Sequence, residues 1–387
     1  MKTKLLSAAM LLTNIMVFSQ TTVTIPDPAF EAYLEAEFAA NITPDGSTTD
    51  GSITFNDINA VQDIDFNTPN IASPTTSVVN LSGIMEFSNL KYLIARSNDI
   101  TGDVDLSGLS SLKKVYIDEN PNLTGLNLSG CSSLQQVKAS NCNLSSLDLS
   151  TTILNTSNIA SLTDVDVDTN NLNSLNISGH SDIDYLDIYG NATLTNIDIS
   201  LLTKLTFLRF QNCDITGDID VSANVLLATL GAYNNNNLTN IDLGAIPYTS
   251  FSYFKIASNA NLTCVYSDNA SDFAPGGPLE TAIGSNYSVG TNTNFVLDAT
   301  ECATLGTKDF NAFEFSMYPN PTNENVTISL NDDASYQLIN IHGQTLMKGY
   351  FNAGNNPLSI SNLVSGLYFI NMTTTNGNRM THKLVKQ

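Results

Sequence analysis

The chain has 387 residues, of which 37 are acidic and 15 basic, so its formal net charge at pH 7 is −22. The acidic excess lies on residues 20–315, because residues 1–19 and 316–387 are each slightly basic. A surface of this sign repels nucleic acid and anionic lipid, which excludes a nucleic-acid-binding role.

Residues 1–19 have the pattern of a secretory signal peptide. Lys2 and Lys4 make a basic start, an apolar run follows, and small residues precede Gln20, where cleavage is predicted. The apolar run is shorter than the roughly 20 residues that a membrane-spanning helix needs. No later segment is apolar enough to cross a bilayer, so we expect an exported mature chain without a transmembrane segment.

Residues 20–77 are predicted to form a small, partly helical N-terminal cap. After a Pro- and Asp-containing start, Phe30, Tyr33, Leu34 and Phe38 follow at helical spacing. A helix with one apolar face is suited to covering the end of a larger core.

The segment after this helix has an imperfect likeness to a calcium-binding loop. Asp50, Gly51, Ile53 and Asp57 take the fifth, sixth, eighth and twelfth positions of an EF-hand loop. The first and third positions lack carboxylates, and the twelfth is Asp where the loop has Glu. Asp50 and Asp57 are therefore candidate calcium ligands, but a turn before a short helix is the favoured interpretation.

Residues 78–265 repeat one pattern, Leu-x-x-Leu-x-h-x-x-(Asn/Cys) followed by x-x-Leu and a Leu-Asp-Leu-Ser-like segment, where h is small or apolar. Copies begin at Leu90, Leu112, Leu134, Leu162, Ile183, Leu205, Leu227 and Phe251. The steps are 21 to 28 residues long, and the longest contains an insertion near 153–159. Such a period predicts a solenoid, in which stacked copies bury a core that no single copy can bury.

The pattern resembles the leucine-rich repeat family. Its ninth position, where the family has Asn or Cys, is occupied by Asn98, Asn120, Cys142, Asn170, Asn191, Cys213, Asn235 and Asn259. The resemblance implies a buried ladder in which these side chains satisfy backbone groups of neighbouring coils. Cys fills the same position as a small, weak donor.

Each copy is predicted to add one strand to a parallel sheet of eight strands. Its third, fifth and seventh positions point outward, because side chains alternate along a strand. Aromatic residues gather at these positions: Tyr92, Tyr116, Tyr185, Tyr189, Phe207, Tyr233 and Tyr253. They are candidate contacts for a protein or glycan partner. The alternative is that Tyr and Phe are there because they favour strands.

A group of carboxylates lies on the same predicted face. Asp164, Asp166 and Asp168 alternate along one strand and are expected to face outward, with Asp187 beside Asp166 on the next strand. Opposed like charges destabilise a sheet, and a divalent cation such as Ca²⁺, neighbouring Lys138 or a raised carboxylate pKa would relieve them. Solvated surface is the favoured interpretation, ahead of a cation site and of glycosidase-like hydrolysis.

Residues 266–305 are predicted to cap the other end of the solenoid. The repeats account for three of the five cysteines, Cys131, Cys142 and Cys213. A disulfide between the remaining two, Cys264 and Cys302, would pin the capping segment over the core in an oxidising compartment. The alternative is two free thiols.

After a predicted linker at 306–315, residues 316–387 have several alternating segments separated by turn signals, which predict a small β-sandwich. This module resembles the C-terminal sorting domain of type IX secretion cargo in Bacteroidota. The resemblance is carried by Tyr318, Pro319, Asn320, Pro321, Gly343, Gly366, Tyr368 and Lys383. It implies the type IX machinery as a partner and passage through the periplasm to the outer-membrane surface or the medium.

The sequence therefore predicts a mainly β protein that is secreted or displayed on the cell surface and that mediates recognition or adhesion. No enzymatic activity is expected, and no cofactor apart from the candidate calcium. Two alternatives stay open: a carbohydrate-active hydrolase using the four Asp residues, and a structural surface-layer component without a small ligand. A shielded pocket with perturbed carboxylates would favour the hydrolase.

Overall fold

The structure is a computed structural model, and it describes residues 20–44, 50–67, 77–152, 162–305, 315–374 and 379–387. The predicted signal peptide, the insertion near 153–159 and residues 306–314 of the predicted linker lie outside these ranges. The chain divides into two units, Met1–Cys302 and Ala303–Gln387.

The described strands of the first unit are two to five residues long. In chain order they are β1 (Thr21–Thr24), β2 (Ser52–Phe55), β3 (Asp63–Asp65), β4 (Tyr92–Ile94), β5 (Gly102–Asp105), β6 (Lys114–Tyr116), β7 (Leu123–Asn127), β8 (Gln136–Lys138), β9 (Ser146–Asp148), β10 (Asp164–Asp166), β11 (Ser174–Asn176), β12 (Tyr185–Asp187), β13 (Phe207–Arg209), β14 (Gly217–Asp220), β15 (Thr229–Gly231), β16 (Leu238–Asp242), β17 (Tyr253–Lys255), β18 (Cys264–Tyr266), β19 (Tyr287–Ser288) and β20 (Asn294–Val296).

Among the described residues of the first unit, helical segments are few and short. The α-helices are α1 (Pro28–Glu37), α2 (Ala270–Phe273), α3 (Pro278–Ile283) and α4 (Ala299–Leu305). Single 3₁₀ turns lie at Ile58–Ala60, Ile84–Glu86, Ser150–Thr152, Tyr248–Ser250 and Gly284–Asn286.

The described strands of the repeats and of the two caps form one parallel sheet of ten strands, in the order β19-β17-β15-β13-β12-β10-β8-β6-β4-β3. Each predicted copy contributes one strand, so the predicted mainly β solenoid with a parallel sheet is confirmed. The expected number of eight strands was too small, because β3 pairs with β4 at one end and β19 with β17 at the other. The two caps thus continue the sheet and satisfy backbone groups that its end strands would otherwise expose.

The interior is filled by the periodic apolar positions. Leu112, Val115 and Ile117, the first, fourth and sixth positions of one copy, are fully buried. On the opposite wall, shorter parallel sheets form in the orders β5-β7, β11-β9 and β14-β16-β18-β20. The recurring Asp of this wall accepts a backbone bond from the residue two positions on, as in Ser222 N to Asp220 Oδ1 at 2.8 Å, which turns the chain toward the next strand.

The N-terminal cap is fastened to the first coil by one buried carboxylate. Asp27 Oδ1 accepts hydrogen bonds from Ala29 N and Phe30 N at the start of α1, both at 2.9 Å. Its Oδ2 accepts from Val79 N at 2.7 Å and Asn80 N at 2.8 Å. The same side chain therefore caps the N-terminus of α1 and holds the first coil against it.

The C-terminal cap is closed by a disulfide between Cys264 and Cys302. Cys264 lies on β18, which pairs with β20 of the cap, and Cys302 lies on α4. Cys131, Cys142 and Cys213 are free thiols. The predicted disulfide is confirmed, and it links the capping segment to the last coil.

The second unit has seven described strands in two antiparallel sheets. They are β21 (Phe315–Tyr318), β22 (Asn325–Leu330), β23 (Ala334–Asn340), β24 (Thr345–Phe351), β25 (Gly354–Ser359), β26 (Gly366–Thr374) and β27 (Arg379–Lys386). The sheets have the orders β21-β22-β25 and β24-β23-β26-β27. Both contribute to one apolar core, to which Ile328, Leu338, Ile370 and Leu384 belong, each fully buried.

Candidate functional site

The coil turns are held by the predicted ladder positions. Asn120 donates from Nδ2 to Ala95 O at 2.9 Å and Ile117 O at 2.7 Å, and its Oδ1 accepts from Ile100 N at 3.0 Å. Cys213 points its Sγ at Ile188 O, 3.2 Å away. All eight side chains take the same place, the turn after the strand: Asn98, Asn120, Cys142, Asn170, Asn191, Cys213, Asn235 and Asn259.

This regular stacking aligns the outward positions of successive coils into rows on one face of the ten-stranded sheet. The register puts the third positions side by side: Tyr92, Lys114, Gln136, Asp164, Tyr185, Phe207, Thr229 and Tyr253. The fifth positions form the next row: Ile94, Tyr116, Lys138, Asp166, Asp187, Arg209, Gly231 and Lys255. Neighbours in a row are about 4.8 Å apart, so their side chains can touch.

Aromatic and basic side chains meet in the middle of this face. The rings of Tyr185 and Phe207 stack with centroids 4.2 Å apart and planes 12° apart. The Arg209 guanidinium lies 5.4 Å from the Phe207 centroid and 5.9 Å from that of Tyr189. Lys138 Nζ lies 5.9 Å from the Tyr185 centroid. Such contacts between cations and ring faces are favourable.

The contacts continue to one further ring. Lys138 Nζ is 5.7 Å from the Tyr116 centroid, and the guanidinium of Arg96 is 4.6 Å from it. We name the connected group Tyr116, Lys138, Tyr185, Tyr189, Phe207 and Arg209 the central patch. Four of the seven predicted aromatic residues belong to it. The other three, Tyr92, Tyr233 and Tyr253, lie on the same face and are half-buried.

The carboxylates next to the central patch are arranged differently from the prediction. Asp164, Asp166 and Asp168 are half-buried, but Asp187 is only 1% exposed, so the expectation that it faces solvent was wrong. Arg209 covers it, with Nε donating to Asp187 Oδ2 at 2.9 Å. The sequence reasoning missed this pair, although Arg209 occupies the same fifth position one repeat after Asp187.

The crowded negative charges are relieved in three ways. Lys138 Nζ forms an ion pair with Asp164 Oδ2 at 3.3 Å, and Arg209 pairs with Asp187. Among the described residues, no basic side chain forms an ion pair with Asp166. Burial, followed by the nearby charges of Asp168 and Asp187, raises the pKa of Asp166 to about 7. Burial also raises the pKa of Asp187, against the opposing effect of Arg209.

Three of these carboxylates are near enough to share a cation. Asp166, Asp168 and Asp187 each offer one oxygen, and these oxygens lie within 4.8 Å of one another. Calcium takes six to eight oxygen ligands, so three carboxylates supply part of a coordination shell. Arg209 competes for Asp187, since its guanidinium already donates to Oδ2.

At the second candidate calcium site, the described side chains bind backbone groups. Asp50 Oδ1 accepts from Ser52 N at 3.0 Å, and Asp57 Oδ1 accepts from Asn59 N at 3.0 Å, which caps a 3₁₀ turn. The Gly51 amide donates to Glu31 of α1. Residues 45–49 of the predicted loop lie outside the described residues.

In the second unit, the residues that carried the sorting-domain resemblance lie in turns and at strand ends. Gly343 has a φ of 79° in the turn between β23 and β24, a conformation that favours glycine. Gly366 begins β26, and the hydroxyl of Tyr368 donates to Val364 O at 2.7 Å. Lys383 is exposed on β27. The Tyr318–Pro321 segment begins at the last residue of β21, and Asn320 within it contacts β27.

Comparison with known proteins identifies the second unit. Residues 316–387 match the family model described as "Secretion system C-terminal sorting domain", which confirms the predicted sorting domain. No curated protein matches the chain in sequence.

Two solved structures from Listeria monocytogenes are similar to the chain. One is the functional domain of InlJ, which includes a cysteine ladder, with 15% identity, a TM-score of 0.30 and coverage of 95% of this chain and 99% of that one. The other is an internalin (inlF) from strain 4b F2365, with 18% identity, a TM-score of 0.35 and coverage of 74% of this chain and 95% of that one.

The repeat period, the parallel sheet and the Asn/Cys ladder define the first unit as a leucine-rich repeat solenoid. The second unit is a sorting domain of the type IX secretion system. The chain is thus a leucine-rich repeat protein carrying the signal for export to the cell surface or the medium. Within the described ranges, no helix has the length and apolar character needed to cross a membrane.

Proposed function

We propose that the repeat unit binds a protein or glycan partner through the exposed face of its ten-stranded sheet, and so serves recognition or adhesion outside the cell. The central patch carries this proposal. Its rings offer a large contact area and have few rotatable bonds to immobilise on binding. Lys138 and Arg209 are already held by Asp164 and Asp187, so they lose little further freedom when a partner docks.

A binding role fits the carboxylates better than hydrolysis does. Of the four Asp residues on this face, Asp164 and Asp187 are paired with basic side chains. The pair left for acid–base chemistry is Asp166 and Asp168, and the raised pKa of Asp166 follows from burial and from neighbouring carboxylates. The same effects arise in structural charge clusters. We therefore propose a protein without enzymatic activity at this face.

The test is a binding screen of the exported chain, residues 20–387, against glycan arrays and extracellular-matrix proteins. The double variant Tyr185→Ala/Phe207→Ala removes the ring stack. We expect it to weaken binding by about thirtyfold or more, since a central aromatic anchor contributes roughly 2 kcal/mol or more and two are removed. Binding that survives this change would show that the aromatic row is ordinary strand composition.

The matched control is Leu201→Ala/Leu226→Ala. These side chains are 62% and 54% exposed and lie on turns outside the ten-stranded sheet. The control removes exposed apolar area of a similar kind, and binding should change by less than about twofold.

A chelator series and Asp166→Asn test the two alternatives at the Asp residues, a bound cation and glycan hydrolysis. We expect binding to be unchanged in EDTA and in Asp166→Asn. Calcium-dependent binding that Asp168→Asn abolishes would instead assign a cation to Asp166, Asp168 and Asp187. Glycan cleavage that Asp166→Asn abolishes would assign hydrolysis.

A further inference from the structure

The last strand of the sorting domain is held on one side by a regular sheet. β27 pairs with β26 along its whole length, from Gly366 opposite Lys386 to Thr373 opposite Arg379. Leu384 of β27 is fully buried in the sandwich core. From the other sheet, the ring of Phe315 stacks on His382 with centroids 4.0 Å apart.

The outer edge of β27 is held by one side chain from the start of the domain. Asn320 donates from Nδ2 to Lys383 O at 2.7 Å, and its Oδ1 accepts from Val385 N at 2.8 Å. Its amide group thus replaces a backbone unit of a neighbouring strand, offering one donor and one acceptor. These bonds cross 63 and 65 residues of sequence.

Backbone bonds continue the pairing to the end of the chain. Thr322 N donates to Val385 O at 3.0 Å, and Gln387 N donates to Thr322 O at 2.9 Å. Thr322 itself is 5% exposed, and the Lys386 ammonium donates to Asn323 O. We name residues 320–323 the clasp, because they bind the last five residues of the chain on the edge that β26 leaves free.

The neighbours of Asn320 prevent the clasp from becoming an ordinary strand. Pro319 and Pro321 have no backbone N–H, so the segment has no donor at those two positions. Between these two prolines, the Asn320 side chain supplies both the donor and the acceptor that bond to β27. Replacing it removes two bonds to β27 without changing a core residue.

We propose that Asn320 is a positioning residue for export: it holds β27 in the folded sheet, and the secretion machinery reads the sorting domain with its last strand in that folded position. The alternative is that the machinery captures the end of the chain as a free, extended tail. The clasp favours the folded form, since a tail meant to be free would not be bonded on both edges. This inference is independent of any partner of the repeat unit.

The experiment uses the full chain in a bacterium with a type IX secretion system and compares wild type with Asn320→Ala. Two quantities are measured: hydrogen exchange of the purified chain, and the fraction of chain found outside the outer membrane. We expect the Val385 and Gln387 amides to exchange about tenfold faster or more, because their protection depends on local opening. Amides of β23 should be unchanged, and the external fraction should fall by about fivefold or more.

Ile370→Val is the matched control for general loss of stability. Ile370 is fully buried on β26, so the change weakens the core but leaves the clasp intact. Its external fraction should stay within about twofold of wild type. An equal loss of export in Asn320→Ala and Ile370→Val at matched melting temperatures would mean that Asn320 acts only through stability, and would overturn the proposal.

Two further results are decisive. Wild-type export of Asn320→Ala, despite faster exchange at Val385, would show that the machinery reads a released tail. If Asn320→Ala does not accumulate, Asn320→Asp replaces it, since Asp keeps the acceptor for Val385 N and loses the donor to Lys383 O. An intermediate loss of export in Asn320→Asp supports the positioning role, and wild-type export contradicts it.

Discussion

At the scale of single residues, the solenoid depends on side chains that complete the hydrogen bonding of backbone turns. Asn170 donates from Nδ2 to Ala139 O at 2.7 Å and Val167 O at 3.1 Å, and its Oδ1 accepts from Leu144 N at 2.9 Å. Its partners lie on more than one coil, so the side chain acts between coils as well as within one. Removing it leaves buried carbonyl and amide groups that water cannot reach.

We therefore expect Asn170→Ala to lower the free energy of unfolding of the repeat unit by about 1 to 3 kcal/mol. Chemical denaturation of the exported chain measures this. The matched control is Asn171→Ala, an exposed side chain on the same turn, which should change the value by less than about 0.5 kcal/mol. An unchanged unfolding midpoint in Asn170→Ala would contradict the conclusion that the Asn170 hydrogen bonds stabilise the solenoid.

His180 makes the repeat unit sensitive to acid. It is 5% exposed, and its Nε2 lies 2.9 Å from both Thr152 Oγ1 and Leu149 O. Burial lowers the pKa of His180, so the unfolded chain binds the proton more readily. Stability should be complete above about pH 6.5 and fall as the pH drops below that value.

The measurement for His180 is the melting temperature between pH 5.5 and 7.5. His180→Leu should remove the part of the profile in which the melting temperature falls toward acid pH, because leucine does not titrate. The substitution should fit, since leucine occupies the equivalent position of the next coil, at Leu202. The exposed His342 provides the control, since His342→Leu should keep the wild-type slope. A wild-type profile in His180→Leu would assign the acid sensitivity to other groups.

Asp166 should produce a dependence of the opposite sign. Its pKa is raised to about 7, whereas an unfolded Asp has a pKa of about 3.9. The folded state thus holds the proton more tightly, and this stabilisation is lost as the pH rises from about 4 through about 7. Asp166→Asn should be more stable than wild type at pH 8, and this gain should shrink at pH 5. A gain equal at both values would show that Asp166 is ionised in the folded protein at both pH values, so that its pKa is not raised.

At the scale of elements, the two caps matter because a solenoid exposes core at each end. The N-terminal cap uses α1 and the buried carboxylate of Asp27, whereas the C-terminal cap uses the disulfide between Cys264 and Cys302. That disulfide closes a segment with a sequence separation of 38 residues. Closing a loop of this length restricts the unfolded chain, which stabilises the folded unit by about 3 to 4 kcal/mol in the chain-entropy model.

Cys302→Ser should therefore lower the unfolding free energy of the repeat unit by about 2 to 4 kcal/mol. Thermal unfolding with and without a thiol reductant measures the effect. Reductant should lower the melting temperature of wild type and leave that of Cys302→Ser unchanged. If Cys302→Ser had the same melting temperature as wild type under oxidising conditions, packing alone would hold the cap.

At the scale of the whole molecule, each unit has a separate apolar core. The buried core residues of the repeat unit extend from Val23 to Leu279, and those of the sorting domain from Val326 to Leu384. Two cores without shared residues are expected to fold independently.

Deletion of residues 316–387 should thus leave the melting temperature of the repeat unit within a few degrees of that of the full chain. In a bacterium with a type IX secretion system, the truncated chain should accumulate in the periplasm. Tyr185→Ala, which changes only the exposed sheet face, should be exported like wild type and serves as the control. Surface display of the truncated chain would contradict the dependence of export on the sorting domain.

Much of the fold could be predicted because a solenoid is periodic. Leu112, Val115 and Ile117 have their main neighbours one repeat away in sequence. The environment of each position in one repeat therefore predicts that of the same position in the other repeats. The pairing of Cys264 with Cys302 was predictable because the repeats accounted for the other cysteines. The added strands β3 and β19 were not, since they lie in the caps, where the repeat pattern is absent.

The exposed face was only partly predictable, because the repeat pattern shows which way a side chain points but not which distant side chains it contacts. The repeat determined which residues point outward, and the sequence by itself therefore placed Tyr185, Phe207 and the Asp residues on one face. It did not determine how far each side chain reaches across the coils. Only the tertiary structure decided that Arg209 covers Asp187, and that Asn320 binds β27 more than 60 residues later. Period and alternation are local properties of the chain, whereas burial and hydrogen bonding depend on which distant atoms the folded backbone brings within about 3 Å.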